Sequence, residues 1–455
     1  MNTLENPISP ELKVLSAESR VRMNTPEDPI PAELFIANRR RLTALLPANS
    51  LAVLNANDVP PTNGDGLAAA IPNSDLFYLT GVEQEQSILL LYPEADDEKQ
   101  RELLFLREAT PENERWEGHK LSKPEAQGLS GIRHIHWLAD FPRLFHRLTC
   151  ECEHVFLNSN EHKRAVIEVQ SRDARFVAET MRRYPLHDYH RLAPLLHQLR
   201  AVKSDLELGL IRRACEVTAG AFARVLRFVK PGVGEWEVEA EFAHEFIRHR
   251  CRPAYLPIIA SGPNACVLHY VANAARCKKG GLLLLDVGAC GANYNADMTR
   301  TIPVSGRFTP RQKRVYNAVL RVLRQSIAGL RPGKKIKDWQ REAEGLMEKE
   351  LVDLGLLSMH QIKRQDAETP AVRKYFMHGV GHPLGLDVHD SGLTTRPIQA
   401  GWVMTVEPGI YIPEEGFAVR LENDIHVTDA GPEDLMAGIP IEAGEIESLM
   451  GKGGH

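Results

Sequence analysis

The feature that most narrows the folds open to this chain is a repetition in outline within its second half. Arg227-Phe-Val-Lys-Pro-Gly232 is echoed by Ala328-Gly-Leu-Arg-Pro-Gly333, and each phrase closes a long amphipathic stretch. Ser204 with Glu207 makes a capping box, so the first stretch reads as a helix running to about Val229. Thr309-Pro310, a capping threonine with proline at the first helical position, starts its counterpart. Pro-Gly stops each helix, and a second helix follows, from about Glu235 and from about Asp338. A strand-rich region comes after each pair. The pattern predicts a duplicated helix-helix-sheet unit in one domain, related by a pseudo-twofold axis.

Acidic residues argue for the duplication independently. Gly281-Leu-Leu-Leu-Leu-Asp286 is an apolar strand ending in an aspartate, and Tyr294-Asn-Ala-Asp297-Met-Thr-Arg returns. Asp286 and Asp297 are equidistant from the Gly291-Ala292 midpoint, so a tight hairpin sets them opposite each other. Trp402-Val-Met-Thr-Val-Glu407 and Phe417-Ala-Val-Arg-Leu-Glu422 repeat the arrangement about the Glu414-Glu415 midpoint, although Pro408 and Gly409 disturb simple pairing there. Between the hairpins lies Met377-His-Gly-Val-Gly-His-Pro-Leu-Gly-Leu-Asp-Val-His-Asp390. It is too rich in glycine and proline for a helix or strand and reads as a rigid loop aiming His378, His382 and His389 at one place. Four clustered carboxylates need counter-charge. Arg300 and Arg420 could supply it in a purely structural network. Metal ions are the stronger candidate, because four carboxylates and an imidazole form a hard, oxygen-rich set suited to manganese and, less exclusively, to cobalt, zinc or iron. A carboxylate bridging two ions would make a two-metal centre.

The first half reads as a separate α/β domain. A helix is expected from Pro31 to about Leu46, and buried strands at Leu51–Leu54, Ser87–Leu91 and Glu102–Leu106. Pro72 to Gly81 reads as a polar turn leading into an aromatic strand. The run Arg39-Arg-Arg41 reads as the solvated face of a helix. Residues 1–33 hold five prolines and are expected to form an extended arm. Domain limits follow at 34–175, with a linker over 176–202 and the duplicated domain over 203–455. The net charge of −5 is small for 455 residues, which argues against a nucleic-acid or anionic-membrane partner. The first residues lack the apolar core of a secretory signal, and no window reaches the length of a membrane span. Seven cysteines without zinc-finger spacing suggest reduced thiols in a cytoplasmic protein.

With these residues in order, the chain resembles the pita-bread metallopeptidases, whose five metal ligands match Asp286, Asp297, His382, Glu407 and Glu422. The phrases His-Gly-x-x-His, Gly-Leu-Asp-Val-His-Asp, Thr-Val-Glu-Pro-Gly-Ile-Tyr and Arg-Leu-Glu-Asn-Asp narrow the resemblance to the aminopeptidase P family. Asn264-Ala-Cys-Val-Leu-His269-Tyr, Asn73-Ser-Asp-Leu-Phe-Tyr-Leu-Thr-Gly81 and Glu114-Arg-Trp-Glu-Gly118 agree with it. The resemblance covers roughly residues 34–450. It implies an α+β fold, with a creatinase-like amino-terminal domain before the pita-bread domain. It also implies two divalent ions, usually manganese, and release of an amino-terminal residue that precedes proline. Homodimers or homotetramers are expected; in some bacterial members the residue matching Trp116 reaches a neighbour's site, and if that carries over Trp116 is functional rather than a packing residue. Glu407 would move the proton of the attacking water, and His269 and His389 would bond the substrate carbonyl and oxyanion. His378, Tyr411 and Arg420 would line the proline pocket, with Asp75 also on the substrate side. His378 could instead brace His382, and His389 could simply pair with Asp390. The connection between Glu407 and Glu422 is shorter than in bacterial aminopeptidase P sequences, and Pro383 stands where a bulky aromatic can occur. Both departures leave open the preferred peptide, so a dipeptide-cleaving prolidase is the nearest alternative. A non-catalytic binding protein and metal-free creatinase chemistry are disfavoured by the complete ligand set.

Overall fold

A sheet buried on both faces organises the first half of the computed structural model, which describes residues 29–366, 368–391 and 395–451. Its strands are β1 (Ser50–Asn55), β2 (Ile88–Leu91), β3 (Glu102–Leu106), β4 (His134–Trp137), β5 (His154–Leu157) and β6 (Asp188–Arg191), in the order β4-β3-β2-β1-β5-β6. β1, β2 and β3 pair antiparallel, and β4, β5 and β6 join them in parallel. The helices are α1 (Ala32–Thr43), α2 (Ser74–Thr80), α3 (Pro111–Glu117), α4 (Lys123–Ser130), α5 (Phe141–Glu151), α6 (Arg172–Arg183) and α7 (Ala193–Ala201). Successive side chains point to opposite faces of a strand. Ala52, Leu54, Leu89 and Leu104 therefore join Leu34, Phe35 and Leu196 in one core. Leu51, Val53, Leu90 and Phe105 join Phe141, Phe145 and Leu148 in another.

Three sequence expectations are corrected here. Pro72 to Gly81 is not an aromatic strand but holds α2. The Asn73 side chain accepts from the Asp75 and Leu76 amides, and Gly81, at φ 68°, ends the helix in the left-handed conformation. The helix-forming cap outweighs the β preference of Phe77 and Tyr78. Arg39 is not solvated but fully buried: it donates to the carbonyls of Leu79 and Ser130 and to Glu102. Residues 176–202 are not a linker, because they carry most of α6, the edge strand β6 and α7. Of the expected arm, residues 1–28 lie outside the described residues, and the remainder is short, since α1 already begins at Ala32.

The second half repeats a helix pair and a sheet. α8 (Asp205–Phe228) and α9 (Glu235–Arg248) make the first pair, α10 (Pro310–Gly329) and α11 (Ile336–Asp353) the second. Reciprocal capping boxes at Ser204/Glu207 and Thr309/Gln312 start α8 and α10. The strands are β7 (Arg252–Pro253), β8 (Ile258–Ser261), β9 (Leu282–Val287), β10 (Ala289–Gly291), β11 (Tyr294–Asn295) and β12 (Met298–Pro303), then β13 (Val403–Val406), β14 (Gly409–Ile412), β15 (Phe417–Arg420), β16 (Asn423–Thr428) and β17 (Gly431–Asp434). β9 lies between β8 and β12, and β16 between β13 and β17. All seven cysteines are free thiols. Among the described residues no helix is long and apolar enough to cross a membrane.

Candidate metal centre and peptide cleft

Two hairpins deliver the acids. In the first, Thr299 faces Asp286 and Met298 faces Val287. The turn is Ala292-Asn293, both at positive φ (50° and 65°), so the hairpin is centred one residue beyond the Gly291-Ala292 midpoint. Asp297 is consequently two residues from Asp286's partner. The two carboxylates share a face diagonally rather than directly opposite. In the second hairpin Val406 faces Asn423 and Gly409 faces Arg420. Both ladders keep one register across the break at Pro408, and Glu407 stands opposite Glu422.

The histidine loop runs against β13. The His382 N–H donates to Thr405 Oγ1 at 3.1 Å, and the Thr405 N–H returns to the His382 carbonyl at 2.8 Å. A Cβ on Gly381 would lie 1.9 Å from the Thr405 carbonyl oxygen, so only glycine permits this approach. His382 Nδ1 is 3.0 Å from the Pro383 carbonyl, which can only accept. Nδ1 therefore carries a proton, and Nε2 is the nitrogen aimed at the acids, 3.5 Å from Asp297 Oδ2 and 3.8 Å from Glu407 Oε1. Asp297, His382 and Glu422 each offer a ligand atom within 4.8 Å of the others.

Protein donors satisfy only part of this cluster. The Tyr255 hydroxyl lies between Asp286 Oδ1 (2.6 Å) and Asp297 Oδ1 (2.5 Å), Arg420 reaches Asp286, and Thr299 donates to Glu422 Oε2 at 2.7 Å. Glu422 Oε1 is buried without a hydrogen-bond partner. Burial raises the carboxyls of Asp286, Glu407 and Glu422, Glu407 to about 7, and the neighbouring acids add to this while Arg420 opposes it. Against the cost of its own burial, His382 is raised to about 9 by Asp297 and Glu407. A buried oxygen-rich set with one aimed imidazole nitrogen and an orphaned carboxylate oxygen fits hard divalent cations.

The acids open onto a cleft of about 720 Å³, whose lining includes His269, His378, His389 and Arg420. Tyr255 and Arg164, which sequence reasoning passed over, also line it, with Leu256, Leu268, Val271 and Val388 as apolar wall. Three expected site residues are placed elsewhere. Tyr411 is fully buried behind the cleft, bonded to His378 and Arg420, so it braces the pocket rather than lining it. Asp75 sits at the domain junction, bonded to Arg200 and Asn158. Trp116, on α3, is 82% exposed and outside the cleft lining. His389 does not pair with Asp390: it packs edge-on to His382, with ring centres 4.4 Å apart. Asp390 is held instead by Arg200 and Lys203, which fixes the end of the histidine loop to the segment joining the two domains.

The profile described as "Metallopeptidase family M24" matches residues 209–429, and that described as "Aminopeptidase P, N-terminal domain" matches residues 35–156. Xaa-Pro aminopeptidase of Escherichia coli (strain K12) is 33% identical over 442 residues, 92% of this chain and 98% of the relative. The chain belongs to the aminopeptidase P family. Xaa-Pro aminopeptidase of Haemophilus influenzae is likewise 33% identical, over 92% of this chain and 98% of its own. A zinc-substituted E. coli aminopeptidase P solved with product superposes with a TM-score of 0.82 at 32% identity, covering 94% of this chain and 99% of that one. The fold is thus that of aminopeptidase P: α+β, with a creatinase-like amino-terminal domain and a pita-bread catalytic domain. Two divalent ions are the family's cofactor, manganese being usual.

Proposed function

We propose that the chain is a dinuclear-metal aminopeptidase that releases the amino-terminal residue from peptides with proline second. The observation that carries this reading is the convergence of Asp286, Asp297, His382, Glu407 and Glu422 on one cleft, with Glu422 Oε1 buried and unpartnered. Those five side chains would hold the two ions, with manganese preferred. When bound, such ions acidify a water towards hydroxide and polarise the scissile carbonyl. Glu407 takes the proton of the attacking water and delivers it to the leaving prolyl nitrogen. His269 and His389, both on the cleft wall, donate to the substrate carbonyl and to the developing oxyanion. A peptide's prolyl nitrogen has no hydrogen to donate. Selection therefore rests on shape, with His378 and Arg420 held by Tyr411 on one side and Leu256, Leu268 and Val271 on another.

The free thiols support a cytoplasmic setting. A homo-oligomer, dimer or tetramer, in which a partner covers the exposed Trp116, belongs to the same reading. The test is hydrolysis of an Ala-Pro dipeptide and an Ala-Pro-containing tripeptide by the wild type, Asp297→Ala and Glu422→Ala. Cleavage of the tripeptide, lost in both variants, is expected. Cleavage of the dipeptide alone makes the enzyme a prolidase. Near wild-type rates in the variants with metals chelated away would overturn the metal reading.

A further inference from the structure

Three side chains of the amino-terminal sheet converge well outside the cleft lining. β5 and β6 pair in parallel with His154 facing Asp188, and His190 lies two residues beyond Asp188 on the same face of β6. Asp188 Oδ2 is 2.9 Å from His154 Nδ1 and 2.8 Å from His190 Nε2, and the two nitrogens are 3.4 Å apart. We propose that His154, Asp188 and His190 form a further metal site, separate from the catalytic centre, for a divalent transition ion of the zinc type.

The spacing has the size that an ion requires. Ligand atoms bonded at about 2.0–2.2 Å to a tetrahedral or octahedral ion lie about 2.8–3.6 Å apart. All three observed separations fall in that interval. A triangle with those edges has a circumscribed radius of about 1.8 Å, so an ion about 2.1 Å from each corner sits about 1 Å above its plane. Two imidazoles and one carboxylate form a borderline set that favours zinc, cobalt or nickel over magnesium, calcium or manganese. The site therefore differs in preference from the oxygen-rich catalytic cluster.

The rings are held ready. His190 stacks on Phe156, with centroids 4.8 Å apart and planes at 17°, and Phe156 is itself buried in the core. The His154 and His190 rings meet edge to face at 5.2 Å, which turns their nitrogens towards the shared carboxylate. β6 is the sheet edge and the Asp188 side chain is 59% exposed, so the remaining coordination positions open to water. An ion here would staple the edge strand to β5. β6 leads directly into α7 and Arg200, which ties the two domains together.

The test uses the full chain with its catalytic ligands removed, Asp297→Ala with Glu422→Ala, stripped of metal and titrated with Zn²⁺ by calorimetry. One Zn²⁺ per chain is expected, with affinity falling at least tenfold when His154→Gln or His190→Gln is added. An unchanged isotherm, or no Zn²⁺ bound, would overturn the site. Should the catalytic-ligand variant not fold, the wild type and His190→Gln are compared after Zn²⁺ loading and gel filtration. A loss of one Zn²⁺ per chain, with Xaa-Pro hydrolysis retained, supports the site; equal content refutes it. Because the readout is zinc content, it stands or falls independently of whether the cleft hydrolyses peptides.

Discussion

The hydroxyl of Tyr411 lies 2.7 Å from His378 Nε2 and 2.7 Å from Arg420 Nη1. A guanidinium can only donate, so the tyrosine proton is left for His378. Nε2 accepts it, and His378 keeps its own proton on Nδ1, 2.8 Å from the Gly379 carbonyl. Burial, then the charge of Arg420, pushes the imidazole down to about 3, so it stays neutral. A residue outside the cleft thus sets the tautomer of one inside it. Tyr411→Phe removes the relay and leaves Arg420 short of an acceptor. At about 1–3 kcal/mol for an unsatisfied buried partner, kcat/KM for an Ala-Pro tripeptide should drop about 10- to 100-fold with the fold retained. Steady-state kinetics beside a circular dichroism spectrum would show it, and unchanged kinetics would remove Tyr411 from the site.

Chelation should act on stability as well as rate. Asp286, Asp297, Glu407 and Glu422 are close together, with Arg420 bonded to Asp286 alone among them. Ions bound only to the folded state stabilise it by about 4 kcal/mol when present at about a thousandfold over their Kd. Stripping metal should therefore abolish hydrolysis and lower the thermal midpoint, with Mn²⁺ restoring both. Restored folding without restored hydrolysis in Glu407→Gln would separate its proton-transfer role from ligation.

The domain junction offers a sharper stability test. Arg200 is fully enclosed by Asp75 (2.8 Å), Asp387 (2.6 Å) and Asp390 (2.6 Å), and Lys203 holds the other oxygen of Asp390 at 3.0 Å. Removing one member strands a buried charge, at about 3–5 kcal/mol. Arg200→Met should therefore destabilise strongly in urea titrations, and Arg200→Met with Asp390→Asn by less than Arg200→Met alone. Since Asp390 follows His389, the single variant should also lower kcat. Equal stability for single and double variants would mean that the junction does not act as a charge unit.

How far the sequence was legible depended on whether the deciding signal was local. Helices α8 and α10 were readable because Ser204/Glu207 and Thr309-Pro310 mark their starts within four residues. The Glu407–Glu422 register was readable from symmetry and survived Pro408, since both ladders share it. The Asp286–Asp297 register was offset because Ala292 is an unfavourable residue for the positive φ it adopts, so only Asn293 marked the turn. Tyr255 gave no signal, because its role exists only once Asp286 and Asp297 are folded against it. Asp390 looked like His389's partner by adjacency, yet its true partners, Arg200 and Lys203, lie far back along the chain. Such charge pairing at long range leaves no periodicity to read.

Asp173 gives a pH-dependent prediction away from the metals. It lies at the start of α6, buried, accepting from Asn55 Nδ2 at 2.9 Å. Burial pushes its carboxyl up to about 6, Asn55 opposing and Asp75 adding. A carboxyl with a folded value above its unfolded one favours the folded state fully only below the unfolded value, about 3.9. That advantage is lost as pH rises through about 6, so the ionised group costs the protein stability at neutral pH. Asp173→Asn keeps an acceptor for Asn55 and removes the ionisation. The variant should gain stability relative to wild type, by on the order of 1 kcal/mol more at pH 8 than at pH 5. Urea midpoints at the two pH values isolate this difference from any constant effect of losing an acid in the first turn of α6. An identical gain at both would mean that Asp173 ionises in the folded protein as it does in the unfolded chain.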